Sequence, residues 1–304
     1  MEATNPSRFT RPRGVMVALA TPLNEDESVD EVGLCRQLDR LLAAGVHAIV
    51  PLGTAGEFAA LSDEAKRDAI TITVEHVAGR VPVVAGTGEP GTKRAVRITQ
   101  MAAELGADAA MVVPPYYYRL DDAAVVAHYR TVAAEGGLPV ILYNIPGMTK
   151  VTLTPEIVGQ LVGEANIVGV KDSGGNLAFL QQIARQFGSE SFGVVTGSDG
   201  LLFSSLAVGG DGCISPGANV APEWFVGLWD AIREGRWTDA WTLQERILDL
   251  GAIYRYGAFP AGLKGALAAL GIAKPVVHAP LATVSETQVA QIRSHLLEMG
   301  IEES

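Results

Sequence analysis

The sequence predicts an α/β fold in which eight strand–helix units close on themselves: a (β/α)8 TIM barrel with a C-terminal three-helix extension. Three observations lead there. Short apolar runs recur eight times, each followed by a longer amphipathic segment. The runs are almost continuously apolar, as a sheet buried on both faces requires. After Gly235 the alternation stops and the rest of the chain reads as helix alone. A doubly wound open sheet is the alternative, but eight regular units favour closure.

The units run in order along the chain. "GVMVALA" (14–20) precedes "VDEVGLCRQLDRLLAAG" (29–45), and "VHAIVPLG" (46–53) precedes "SDEAKRDAITITVEHVAG" (62–79). "VPVVAGTG" (81–88) leads to a helix over 92–106, "DAAMVVPP" (108–115) to one over 121–136, and "LPVILYN" (138–144) to one over 154–164. "NIVGVK" (166–171) precedes a helix over 176–188, "FGVVTG" (192–197) precedes 199–210, and "DGCIS" (211–215) precedes 221–235. Helix starts carry capping residues: Ser62, Asp121, and Thr154 followed by Pro155. Gly45, Gly79, Gly106 and Gly136 stand where helices should end. The expected organisation is an N-terminal tail (1–13), a catalytic barrel (14–235) and a C-terminal helical extension (236–304).

Composition narrows the function. The chain has 304 residues, 48% of them hydrophobic and 19% charged, enough for one large barrel or two smaller domains. A formal charge of −11 repels phosphate backbones and anionic lipid, so no nucleic acid and no membrane is expected as partner. Cys35 and Cys213 form no CxxC pair and no disulfide framework, which suits a reducing cytoplasm. The N-terminus has no signal-peptide anatomy, and no apolar run is long enough to span a bilayer. The expectation is a soluble, cytoplasmic protein acting on a small molecule.

A barrel of this kind keeps its chemistry at the C-terminal ends of its strands. Those ends supply Gly53-Thr54-Ala55-Gly56-Glu57, Gly86-Thr87-Gly88, Pro115-Tyr116-Tyr117-Tyr118, Tyr143-Asn144, Lys171-Asp172, Gly197-Ser198-Asp199 and Ile214-Ser215, with Ala20-Thr21-Pro22 after the first. The set is rich in hydroxyls and holds one lysine and no histidine. His47, His76, His128, His278 and His295 fall elsewhere, so no metal is expected. "GTGEPG" lacks the spacing of a nucleotide loop and reads as a turn.

What remains is an amine among hydroxyls. Limited water disfavours the charged form of such an amine and makes the nucleophile accessible. It can condense with a ketone to an imine, an electron sink for making or breaking the adjacent C–C bond. A hydrogen-bonded tyrosine can shuttle the proton, and backbone amides in a Gly-bounded turn such as "GTAGE" can hold a carboxylate. Taken singly, Lys171 would read as a solvated strand end, Tyr143 as a core aromatic, "PPYYY" as a packed or interface cluster, and "GTAGEF" as a plain turn. At successive strand ends they read together as a site.

These segments resemble the dihydrodipicolinate synthase/N-acetylneuraminate lyase family of class I pyruvate-dependent aldolases. "GTAGE" is similar to its G-[ST]-T-G-E segment, "PPYY" to its pocket tyrosines, "YNIPG" to its Y-N-x-P segment, and "GVKDSGG" to its Schiff-base lysine segment. The likeness spans roughly residues 14–300. It implies an imine between Lys171 and pyruvate or another 2-oxo acid, with no other cofactor. It implies that Tyr143 relays the proton and that Thr54 connects it to Tyr117, which reaches in from a neighbouring subunit of a homotetramer (a dimer of dimers). The amides of Thr54 and Ala55, beside Gly56, would hold the pyruvyl carboxylate, and the Ile214 carbonyl would lie near the imine.

Departures from the family pattern bear on the substrate. Dihydrodipicolinate synthases carry an arginine after Y-N-x-P-x; here "YNIPGMTK" has Met148, which cannot pair with a carboxylate. Sialic acid lyases carry Asp-Glu where this chain has Asp199-Gly200. The expected reaction is cleavage or condensation of pyruvate with an aldehyde, on a 2-oxo-3-deoxy sugar acid or a related 4-hydroxy-2-oxo acid. Ser173, Ser198, Asp199 and Ser215 are candidate partners for its hydroxyls, and Gly197 is a further candidate substrate-binding position. The alternatives are 4-hydroxy-tetrahydrodipicolinate synthesis, dehydration of a deoxy-oxo sugar acid through the same imine, and a non-catalytic pyruvate-binding barrel.

Overall fold

The computed structural model describes residues 9–302. Its strands are β1 (Gly14–Ala18), β2 (Ala48–Val50), β3 (Val84–Gly86), β4 (Ala109–Val112), β5 (Val140–Asn144), β6 (Ile167–Asp172), β7 (Gly193–Thr196) and β8 (Gly212–Ser215). They form one parallel sheet in the order β2-β1-β8-β7-β6-β5-β4-β3. The two outer strands meet: Ile49 bridges Val83, and the Ile49 and Gly86 amides donate to the Pro82 and Pro51 carbonyls at 3.0 and 2.9 Å. The sheet is therefore a closed (β/α)8 barrel.

Strand sequence follows from closure. In β5, Ile141 and Tyr143 bury into one apolar cluster while Val140 and Leu142 bury into another. Both faces are covered, so no polar alternation survives. Helices α1 (Glu31–Ala43), α2 (Asp63–Val77), α3 (Thr92–Glu104) and α4 (Asp122–Glu135) alternate with β1–β5. A four-residue helix, α5 (Pro146–Thr149), sits between β5 and α6 (Pro155–Leu161); the periodicity gave no sign of it. Then come α7 (Leu177–Phe187), α8 (Leu202–Ala207) and α9 (Pro222–Arg233).

The helix starts use the residues expected of them. Ser62, Asp121 and Thr154 accept from the amides of Ala65, Ala124 and Ile157, satisfying donors that the first turn leaves free. Gly45, Gly79 and Gly106 adopt the left-handed conformation after their helices, but after α4 it is Gly137, not Gly136, that does so.

Of the N-terminal segment, residues 1–8 lie outside the described residues. Residues 9–13 pack under the barrel: Phe9 is buried and Arg11 pairs with Asp211 at 2.5 Å. Past α9 come α10 (Trp237–Leu250), α11 (Ala261–Ala269) and α12 (Glu286–Glu298). This part is fastened over the strand ends. Gln244 of α10 accepts from the Phe203 amide and donates to the Asp199 carbonyl, and Tyr254 donates to the Asp199 carboxylate at 2.7 Å. Among the described residues, no helix is long and apolar enough to cross a membrane.

Candidate active site at the strand ends

Strand register builds the centre of the site. β5 and β6 pair with Tyr143 opposite Lys171 and Asn144 opposite Asp172. Partners in a parallel ladder point to the same face, so Lys171 and Tyr143 project side by side. The Lys171 Nζ lies 4.1 Å from the Tyr143 ring centroid, and both residues are 3% exposed. An apolar strand thus ends in a lysine held inside the barrel.

The space for that lysine depends on Gly197. A Cβ there would stand 2.0 Å from the Ser173 Oγ and 2.5 Å from the Lys171 Cε. The strand ends are tied laterally as well: Asn144 donates to Asp172 at 2.6 Å, and its side-chain oxygen accepts from the Leu153 amide. The Ser173 and Gly197 amides donate to the Asn144 and Asp172 carbonyls. Burial raises the Asp172 carboxyl above its usual range, against the Asn144 bond that lowers it.

The Tyr143 hydroxyl is bonded on two sides, to the Thr54 Oγ1 at 3.3 Å and as acceptor from the Ser173 Oγ at 3.5 Å. Burial pushes this phenol up, but the Lys171 charge and the Ser173 and Thr54 hydrogen bonds outweigh it, and the net shift is downward. A phenol made more acidic beside an amine is suited to passing a proton.

Thr54 sits in the turn after β2. Within it the Gly56 and Glu57 amides donate to the Gly53 and Thr54 carbonyls, and Thr21 donates to the Gly56 carbonyl. Among the described residues no hydrogen bond uses the Thr54 or Ala55 amides. Two spare donors on a buried turn make a small anion cradle. The turn is anchored by Glu57, whose carboxylate meets the Lys264 Nζ of α11 and accepts from the His278 amide at 2.7 Å.

Thr54, Ala55, Tyr143, Met148, Lys171, Ser173 and Gly197 all line one cavity of about 180 Å³. Other candidates lie elsewhere. Ile214 is fully buried in β8. The Ser198 amide donates to Thr196. Asp199 is partly buried and fully bonded, accepting from Ser215 at 2.6 Å, Tyr254 at 2.7 Å and the Gly217 amide at 3.1 Å. Tyr117 is 88% exposed with a left-handed φ of 84°, its ring set edge-on to Tyr118. Within one chain it does not reach the cavity.

The cavity wall also contains Ala18, Ile145, Pro216 and Phe259, none of which the sequence singled out. Phe259 comes from the extension, and only its place two residues before an apolar helix marked it. Lys264 carried a clearer signal: it is the lone charge in "AGLKGALAA", and a lysine buried there needs a partner. Among the described residues no three His, Cys, Asp or Glu side chains gather as metal ligands.

Comparison with known proteins agrees with this geometry. A profile described as the Dihydrodipicolinate synthetase family matches residues 11–299. A 4-hydroxy-tetrahydrodipicolinate synthase of Methanoculleus marisnigri is 38% identical, over 94% of this chain and 99% of its own. An E. coli K12 prophage protein of the dihydrodipicolinic acid synthase family, solved with pyruvate, superposes with a TM-score of 0.91 at 31% identity, covering 95% of this chain and 99% of its own. A monomeric dihydrodipicolinate synthase variant gives a TM-score of 0.92 at 29% identity, covering 97% and 99%. With the profile running across nearly every strand and helix that carries the site, the chain belongs to the dihydrodipicolinate synthetase family.

Proposed function

We propose that this enzyme, a class I carbon–carbon lyase, cleaves a 4-hydroxy-2-oxo acid to pyruvate and an aldehyde, and can run the condensation. The observation that carries the reading is the buried Lys171 amine beside the Tyr143 phenol, itself bonded to Thr54. The amine attacks the C2 ketone and water leaves, giving an imine. Tyr143 passes the protons of that exchange, with Thr54 and Ser173 holding its hydroxyl. Loss of the C4 hydroxyl proton breaks the C3–C4 bond and frees the aldehyde; the electron pair rests in the enamine. Protonation at C3 and hydrolysis return pyruvate and the amine. The Thr54 and Ala55 amides hold the carboxylate.

Family likeness supports two further expectations. Tyr117, exposed and with a left-handed φ, would complete the relay of a neighbouring subunit in a homotetramer. A cytoplasmic setting suits a chain whose two cysteines, Cys35 and Cys213, are both free.

A second reading has its own support: relatives at 35–38% identity are named 4-hydroxy-tetrahydrodipicolinate synthase. Met148 on the cavity wall argues against it, because no lining residue there pairs with the carboxylate of aspartate semialdehyde. Pyruvate release from a panel of 4-hydroxy-2-oxo acids, set beside turnover with aspartate semialdehyde and pyruvate, separates the two. The proposal expects release that disappears in Lys171→Ala. Faster turnover with aspartate semialdehyde would give the relatives' reaction precedence.

A further inference from the structure

This inference rests on the imine reading above. The polar groups lining the cavity all serve one half of the substrate. Lys171 condenses with the ketone, Tyr143 and Thr54 form the relay, and Ser173 donates to the Tyr143 hydroxyl. The remaining wall is Ala18 of β1, the Ala55 and Gly197 turns, Ile145 and Met148 from the segment after β5, Pro216 after β8, and Phe259 from the extension. None of these side chains has a hydrogen-bond donor, and only the thioether accepts, weakly.

Charge is kept away from that wall. Lys150, two residues past Met148, adopts a left-handed conformation and donates to the Gly147 carbonyl at 3.0 Å on the exposed side. Asp199 spends both oxygens on Ser215, the Gly217 amide and Tyr254. The wall is also supported from behind: Tyr254, held by Asp199, packs against the Phe259 ring at 5.7 Å. Met148 stands 63% exposed at the rim. A large apolar side chain left in water at the mouth of a reactive pocket gains by covering an apolar ligand.

We propose that the aldehyde half of the substrate carries an aliphatic or aromatic substituent, with neither a distal carboxylate nor a run of hydroxyls. In the condensation, the enamine C3 attacks the aldehyde carbon, a C–C bond forms, and the aldehyde oxygen takes a proton. Hydrolysis of the imine then consumes one water and releases the 4-hydroxy-2-oxo acid and the Lys171 amine. The substituent beyond C4 lies along Ile145, Met148, Pro216 and Phe259. A hydroxyl pressed there loses its water without a replacement, and a carboxylate loses more.

The test uses the full chain, pyruvate and three aldehydes: benzaldehyde, glyceraldehyde and succinic semialdehyde. Initial rates are read by mass spectrometry of the product, with borohydride trapping of the pyruvate adduct run in parallel. The expected kcat/KM for benzaldehyde exceeds each of the others by about tenfold or more. Met148→Arg is expected to shift the ratio toward succinic semialdehyde by a similar factor. Trapping that succeeds while glyceraldehyde or succinic semialdehyde reacts as fast as benzaldehyde overturns this inference and leaves the imine standing. A Met148→Arg enzyme with an unchanged ratio also counts against it. Failure to trap pyruvate at all overturns the underlying reading instead.

Discussion

Lys264 is the only charged residue of α11, and its ammonium meets the Glu57 carboxylate where both side chains are 1% exposed. Burial pulls the Lys264 amine down, and the Glu57 charge pulls it back up without cancelling that shift. Lys264→Met keeps the length of the stem and removes the charge, leaving the Glu57 carboxylate buried with the His278 amide as its remaining partner. Stranding one member of a buried pair costs about 3–5 kcal/mol. With about 2 cal/mol/K of unfolding entropy per residue over 304 residues, the melting temperature should fall by about 5–8 °C. Differential scanning fluorimetry at pH 7 reads this directly. The double variant Glu57→Gln/Lys264→Met should recover at least half of the loss, because no charge is stranded and the glutamine oxygen still accepts from His278. A single variant within about 1 °C of the parent, or a double variant as damaged as the single, would show that the pair does not brace the turn carrying Thr54 and Ala55.

Two other perturbations follow from the same coordinates. His128 is buried with its Nδ1 3.0 Å from the Thr92 hydroxyl, and burial pulls its pKa down to about 4. The unfolded ring binds its proton near pH 6.5 and the folded one does not, so stability falls as pH drops from about 6.5 to about 4, by up to about 3 kcal/mol. His128→Leu should flatten that part of a urea-midpoint profile, and an unchanged slope would contradict the assignment. At Gly197, an alanine Cβ would overlap the Lys171 Cε and the Ser173 Oγ. Gly197→Ala should therefore slow borohydride trapping of pyruvate about 100-fold or more, with circular dichroism unchanged.

Much of the barrel was legible because closure imposes a pattern on local sequence. Strands buried on both faces must be continuously apolar, as "VILYN" is, and caps such as Ser62 and Thr154 must follow them. Lys171 and Tyr143 stood out as polar groups at the ends of apolar runs, although Asn144 and Asp172 beside them bond to each other and stay out of the cavity. Helix α5 was not readable, since "PGMT" is too short to show a period. The apolar wall was hidden more deeply. Phe259 and Lys264 reach the strand ends only because the extension folds back over them, a long-range contact no local pattern encodes. Asp199 looked available for a substrate hydroxyl until Tyr254 and Ser215 were seen to occupy it. Tyr117 shows the converse, a residue whose expected role lies outside its own chain.

The proposed chemistry depends on one amine, on β6, forming a covalent bond with pyruvate. Incubating the protein with pyruvate and sodium borohydride, then mapping the modified peptide by mass spectrometry, tests it most directly. One reduced pyruvyl group per chain is expected, located at Lys171 and absent from Lys171→Ala. An unmodified chain, or an adduct that survives in Lys171→Ala, would contradict it.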